Sequence, residues 1–189
     1  MSDDPLLDRL RDVVIGDLGP VHVELVEHDP AWSRGFSRHA QRLRDALGKA
    51  ARRVEHIGST AVPGLAAKPI IDILLVVDDP ADEASYLADL EVAGYELRVR
   101  EADFDEHRML RTPTRDVHIH VFPAWSAEID RYLTLREHLR ASPPARAAYE
   151  ARKRELANRE WPSMDHYARA KGAVVEALLA EAAGSAPGS

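Results

Sequence analysis

Residues 70–77 read Ile-Ile-Asp-Ile-Leu-Leu-Val-Val, apolar at odd and even positions alike, with one aspartate, Asp72, inside the run. Successive side chains of a strand point to opposite faces, so a strand apolar on both parities must be covered on both faces. The run is far shorter than the roughly 20 apolar residues a membrane-spanning helix requires. A chain that contains it has to build an interior strand between two layers. The same pattern isolates Asp72, because a carboxylate in apolar surroundings must be ion-paired, hydrogen-bonded or metal-bound to offset the cost of its burial.

The flanking pattern predicts what covers that strand. Val21, Val23 and Leu25 alternate with His22 and Glu24, which predicts a half-buried strand over 21–27. Asp29 and Pro30 suit a helix start, and Trp32, Phe36, Ala40, Leu43 and Leu47 continue an apolar stripe at helical spacing up to Gly48. A short strand at 54–57 enters the turn Gly58-Ser59-Thr60, and Pro63-Gly64 marks a further turn or short helix before the interior strand. Residues 82–93 carry Ala84, Leu87 and Leu90 at helical spacing, and 95–99 reads as a strand. A hairpin follows over 107–111 and 116–122, with Val117, Ile119 and Val121 on one face and His118, His120 and Phe122 on the other. Beyond it the pattern is helical: one helix capped by Ser126, a second after Ser142-Pro143-Pro144 reaching about Asn158, and a last one opened by Trp161-Pro162-Ser163. Strands before residue 123 and helices after it predict an α+β arrangement, a mixed sheet flanked by helices with a C-terminal helical layer. The expected organisation is an N-terminal extension over 1–20, one domain over 21–183, and a disordered tail over 184–189.

Composition narrows the function classes. A chain of 189 residues can bury roughly 70% of its unfolded surface, enough for one core without staples. The absence of cysteine excludes disulfides, thiolate zinc sites, iron–sulfur ligation and a cysteine nucleophile, and it suits a reducing, cytoplasmic setting. A formal charge of −7 argues against general affinity for nucleic acid or an anionic membrane. Residues 34–53 run against that trend, with seven cationic residues against Asp45 alone; Arg34, Arg38 and Arg42 lie four apart, off the apolar stripe, which describes a solvated helix face or a surface for a polyanion. Residues 1–12 lack the basic start and apolar core of a signal peptide.

Three features can carry chemistry. Gly58-Ser59-Thr60 at a strand end offers close backbone approach and hydroxyls, which suits a phosphate; the plainer reading is an ordinary turn. Lys68 and Arg115 are cations near the two strand segments and within reach of such a phosphate, or simply surface charges. His118 and His120 share one strand face roughly 7 Å apart, close enough to meet one ion or one substrate oxygen. With Asp72 opposite they form a two-histidine, one-carboxylate set compatible with Zn, Mn or Fe; the alternative is that all three only satisfy the sheet. His56 stands beside Gly58 and can join either arrangement. No nucleophile elbow, dinucleotide loop or Walker-type loop is present.

The run Val54-Glu55-His56-Ile57-Gly58-Ser59-Thr60-Ala61-Val62-Pro63-Gly64-Leu65-Ala66-Ala67-Lys68-Pro69-Ile70-Ile71-Asp72-Ile73 resembles the signature of the GrpB family. Asp29-Pro30 with Trp32, Gly94-Tyr95, Arg115 ahead of His118-x-His120-Val121, and Tyr149 with Lys153 extend the likeness over about residues 21–175. The resemblance implies a nucleotidyltransferase-like fold, in which a Gly-Ser turn holds nucleotide phosphates and three carboxylates on two strands hold paired Mg ions. Gly58, Ser59 and Asp72 match that pattern, whereas Leu74 stands where the second carboxylate belongs and the later strand supplies His118 and His120. The expectation is therefore a nucleotide or other phosphorylated small molecule bound near Gly58, Ser59, Thr60, Lys68 and Arg115. Asp72, His118 and His120 would act as catalytic or metal-binding groups, with Zn or Mn favoured over Mg. The resemblance equally implies the non-catalytic alternative, an accessory or protein-interaction domain like the segment fused to some dephospho-CoA kinases.

Overall fold

The computed structural model describes residues 4–16 and 18–184. Five strands form one mixed sheet: β2 (Arg53–Ile57), β3 (Ile71–Val77), β4 (Glu96–Glu101), β5 (His107–Arg111) and β6 (Val117–Pro123), in the spatial order β2-β3-β6-β5-β4. Only the β3–β6 pair is parallel; the others are antiparallel. The two-sided apolarity of 70–77 is explained by its position between β2 and β6, with a helical layer on each face.

On one face, Ile71, Ile73 and Leu75 join Val117, Ile119 and Val121 in the largest core. Helix α2 (Ala31–Leu47) covers it with Trp32, Ala40, Leu43 and Leu47, and Asp29 caps its start through a 2.8 Å hydrogen bond from the Ala31 amide. Gly35 lets α2 approach β3 closely, since a Cβ there would lie 2.5 Å from Ile71 Cδ1. Arg34, Arg38 and Arg42 point outward and are exposed. The expected helix over 82–93 is a 3-10 turn followed by α3 (Leu87–Val92); buried Tyr86 separates them and donates its hydroxyl hydrogen to the Pro80 carbonyl at 2.8 Å.

The opposite face carries Leu74, Val76 and Phe122 under Ile129 of α4 (Ala127–Ala141). Helix α5 (Pro143–Ala157) follows, starting at Ser142-Pro143-Pro144 as expected, with Ser142 as its cap. The last helix differs from expectation, being broken into α6 (Met164–Ala170) and α7 (Gly172–Gly184). Gly172 starts the second piece, where a glycine weakens helix continuity, and Lys171 between the two pieces lines the cleft.

The strand expected over 21–27 shortens to β1 (Val21–His22), because its only partner is the two-residue β7 (Glu160–Trp161). Val23 then turns into a small core with Leu156 and Tyr167, and Val26 makes an isolated bridge to Ala67. Within the expected N-terminal extension lies an unforeseen helix, α1 (Pro5–Val13), capped by Asp4, whose trailing Val14 bridges Val99 on β4. Gly184, expected at the start of the tail, ends α7; residues 185–189 lie outside the described residues. Among the described residues no helix is long and apolar enough to cross a membrane.

Candidate functional site

Strand alternation sets Asp72 on the helix-α4 face of β3, and His118 and His120 on the same face of β6, where Asp72 is the register partner of His118. His118 Nδ1 and His120 Nε2 lie 3.6 and 3.7 Å from one Asp72 oxygen, Oδ1. A ligand atom from each of the three residues fits within 4.8 Å of the others, and the side chains remain partly open, between 21 and 29% exposed. Burial works to raise the Asp72 pKa, but the His120 and His118 imidazoles and the Lys68 charge outweigh it and hold the carboxyl at about 2. Burial drives His118 down to about 4.

The Gly58-Ser59 turn closes one end of this face. Gly58 has φ +70°, and a Cβ on it would lie 2.5 Å from Asp72 Oδ2, so only glycine lets the turn sit against the carboxylate. Ser59 Oγ accepts a hydrogen bond from Lys153 Nζ at 3.1 Å and is also hydrogen-bonded to the Tyr149 side chain. Thr60 is less available than expected: it is buried, and its Oγ1 lies 3.0 Å from His56 Nε2. His56 belongs to the α2 side of the sheet, stacked on Phe36 at 4.7 Å, and burial lowers its pKa to about 4. Lys68 reaches the Asp72 side of the cleft, with Nζ 3.0 Å from Met164 Sδ and burial lowering its pKa to about 8. Arg115 lies at the rim, in the exposed β5–β6 turn.

The cleft above these residues has a volume of about 900 Å³ and runs between the sheet, α4, α5 and α6. Cationic side chains outnumber carboxylates along its walls, the reverse of the chain as a whole. Two of the lysines came without an assigned role from the sequence. Lys153 is 2% exposed and donates to Ser59 Oγ and to the Ala66 carbonyl; burial lowers its pKa to about 7. The signal for it is a lysine at the spacing of Tyr149 and Leu156, the buried stripe of α5. Lys171 is held below its ordinary pKa by burial as well, and it falls at the helical spacing of Tyr167, Ala168 and Val175, which line the same cleft. Among the described residues, Lys68, Lys153 and Lys171 form no ion pair with a carboxylate. Glu101 and His107 were also unforeseen; they stand behind His120, with His107 Nδ1 2.8 Å from Glu101 Oε2 and His107 Nε2 3.2 Å from His120 Nδ1.

The donor set decides which metal the residues suit. Paired Mg ions need several hard oxygen ligands, but Leu74, the register partner of His120, is fully buried in apolar surroundings and offers none. Two-metal chemistry therefore does not fit. One carboxylate and two imidazoles suit a single Zn or Mn. Tetrahedral ligands about 2.0–2.1 Å from Zn stand about 3.3 Å apart. The 3.6 and 3.7 Å from Asp72 to the two histidines are near that spacing, and the three ligand atoms lie within 4.8 Å of one another.

The model of the family described as GrpB protein matches residues 22–181. The chain belongs to the GrpB family. A UPF0157 protein of Halalkalibacterium halodurans is 49% identical over 177 residues, covering 93% of this chain and 91% of that protein. The glutamate-rich protein GrpB of Alkalihalophilus pseudofirmus is 30% identical, covering 84% and 95% of the two chains. The crystal structure of conserved protein GrpB from Enterococcus faecalis superposes with a TM-score of 0.73 at 36% identity, covering 84% of this chain and 96% of that one. A GrpB-like region also occurs within a larger protein: a dephospho-CoA kinase of Mycolicibacterium paratuberculosis matches 79% of this chain over 43% of its own length, at 31% identity.

Proposed function

We propose that this GrpB protein binds a nucleotide or another phosphorylated small molecule in the cleft, beside a single Zn or Mn held by Asp72, His118 and His120. The observation that carries the reading is the set of three recessed lysines lining the cleft, none of them within ion-pair distance of a carboxylate among the described residues, although Asp72 acts on Lys68 and Lys171, and Glu150 on Lys153, from further off. Unpaired buried ammonium groups are costly, and a phosphate that enters the cleft relieves that cost with charge-assisted hydrogen bonds. Ser59 turns its hydroxyl from Tyr149 to the phosphate, Lys68 and Lys171 supply charge, and Arg115 screens the entrance. Lys153 orients Ser59. A metal bound opposite supplies a Lewis acid for a phosphoryl oxygen, which makes phosphoryl or nucleotidyl transfer the reaction class the arrangement supports. The cysteine-free composition suits a reducing compartment such as the cytoplasm.

Thermal unfolding with ATP, pyrophosphate or inorganic phosphate, each with and without Zn, Mn or Mg, tests this. A ligand at 100 times its Kd stabilises by about 2.7 kcal/mol, a rise of several degrees for a chain of this length. Ser59→Ala should weaken the phosphate effect, and Asp72→Asn should remove the Zn or Mn effect while leaving the protein folded. The match to part of a dephospho-CoA kinase favours a second reading, an accessory domain whose polar residues only satisfy the sheet. A protein that responds to none of these ligands supports that second reading.

A further inference from the structure

We infer that Glu101 and His107 are positioning residues that fix the ring and tautomer of His120, so that its Nε2 presents a lone pair to a metal beside Asp72. This rests on the metal-binding part of the reading above. The pair lies where β4 and β5 close their ladder: Glu101 and His107 are register partners, and His107 shares a sheet face with His120, diagonally across β5 and β6.

The hydrogen-bond chemistry runs in one direction. An imidazole that ligates through Nε2 must carry its hydrogen on Nδ1. In His120 that N–H points at His107 Nε2, 3.2 Å away. His107 therefore accepts on Nε2 and carries its own hydrogen on Nδ1, which donates to the Glu101 carboxylate at 2.8 Å. A carboxylate only accepts, so it terminates the chain, and every N–H has a partner. The ring of His107 has little freedom to break this order. It is 6% exposed, stacked on Phe122 at 4.6 Å and on His120 at 5.4 Å, with Phe104 edge-on at 5.8 Å. Turning it over would set carbons against both Glu101 and His120.

In this tautomer neutral His120 turns a lone pair toward Asp72 Oδ1 across 3.7 Å, and a cation takes the place of the hydrogen that the other tautomer sets between them. A divalent ion satisfies both atoms at once. A carboxylate behind a histidine ligand orients it and raises its basicity, and removing such partners costs about 10- to 100-fold in metal affinity.

The test is Zn and Co affinity of the full chain, wild type against His107→Phe and Glu101→Gln, with apo-protein melting as a folding control. His107→Phe keeps the aromatic stack but removes the acceptor for His120 Nδ1–H, and should weaken both metals about 10- to 100-fold and alter the visible Co spectrum. Glu101→Gln keeps an oxygen acceptor without the charge and should weaken them less. ¹⁵N NMR of the Zn-loaded wild type should show His120 protonated on Nδ1 and ligated through Nε2. Wild-type binding that both variants leave unchanged, or His120 ligated through Nδ1, overturns this inference alone and leaves the metal site standing. A wild type that binds neither Zn nor Co overturns the inference together with the metal reading.

Discussion

Gly58→Ala tests whether the phosphate turn and the carboxylate are built as one unit. Gly58 sits at φ +70°, ψ −171°, a region that side chains other than hydrogen rarely enter, and holding alanine there costs about 1–3 kcal/mol. The new methyl would also start 2.5 Å from Asp72 Oδ2 and must push it to an ordinary contact of 3.4 Å or more. That movement displaces the carboxylate from the position in which the imidazoles hold it at about 2 instead of its ordinary 3.8, a difference worth about 2 kcal/mol at full loss. Partial loss added to backbone strain gives about 2–4 kcal/mol. Gly64→Ala is the control: Gly64 has a similar φ of +76° but nothing within 4 Å of the position its Cβ would take. Urea unfolding of both variants should show Gly58→Ala losing about 1–2 kcal/mol more than Gly64→Ala. Asp72→Ala should shrink that excess, since it removes the atom that is struck. Equal losses at Gly58 and Gly64, or an excess that survives Asp72→Ala, would refute the close approach of turn and carboxylate as the cause.

Two further expectations concern the core around the cleft. Lys153 has a folded pKa near 7 against an ordinary 10.5, so above pH 7 the unfolded chain binds the extra proton; stability should rise between about pH 7 and 10, and Lys153→Met should flatten that rise in pH-dependent melting. Gly35→Ala gains roughly 0.8–1.0 kcal/mol of helix propensity. It also drives a methyl to 2.5 Å from Ile71 Cδ1, where overpacking costs about 1–3 kcal/mol. A net loss in chemical denaturation is expected, and Ile71→Val, which deletes that Cδ1, should recover it.

The sequence by itself determined what depends on periodicity. Alternation put His118 and His120 on one face of a strand, two-sided apolarity made 70–77 an interior strand with Asp72 as its single charge, and the stripe from Trp32 to Leu47 specified the covering helix. These are local properties: a strand period of two and a helix period of 3.6 fix which way each side chain faces whatever the partner. The long run around Gly58-Ser59 and Asp72 was enough to mark the family.

Only the tertiary structure decided which faces meet. The parallel pairing of β3 with β6, which sets Asp72 against His118 and His120, depends on a crossover through α3, β4 and β5 that no local pattern encodes. The same holds for Lys153, delivered from α5 to the Gly58-Ser59 turn, for Lys171, brought to the cleft near Asp72, and for Thr60, whose hydroxyl is taken by His56 on the other side of the sheet. Residues 21–27 show the converse: an alternating pattern needs a partner strand to become a ladder, and packing supplied only Glu160–Trp161. Glu101 and His107 gain their place behind His120 through hairpin register alone, because strand pairing and packing, not sequence spacing, set the distance between groups far apart in the chain.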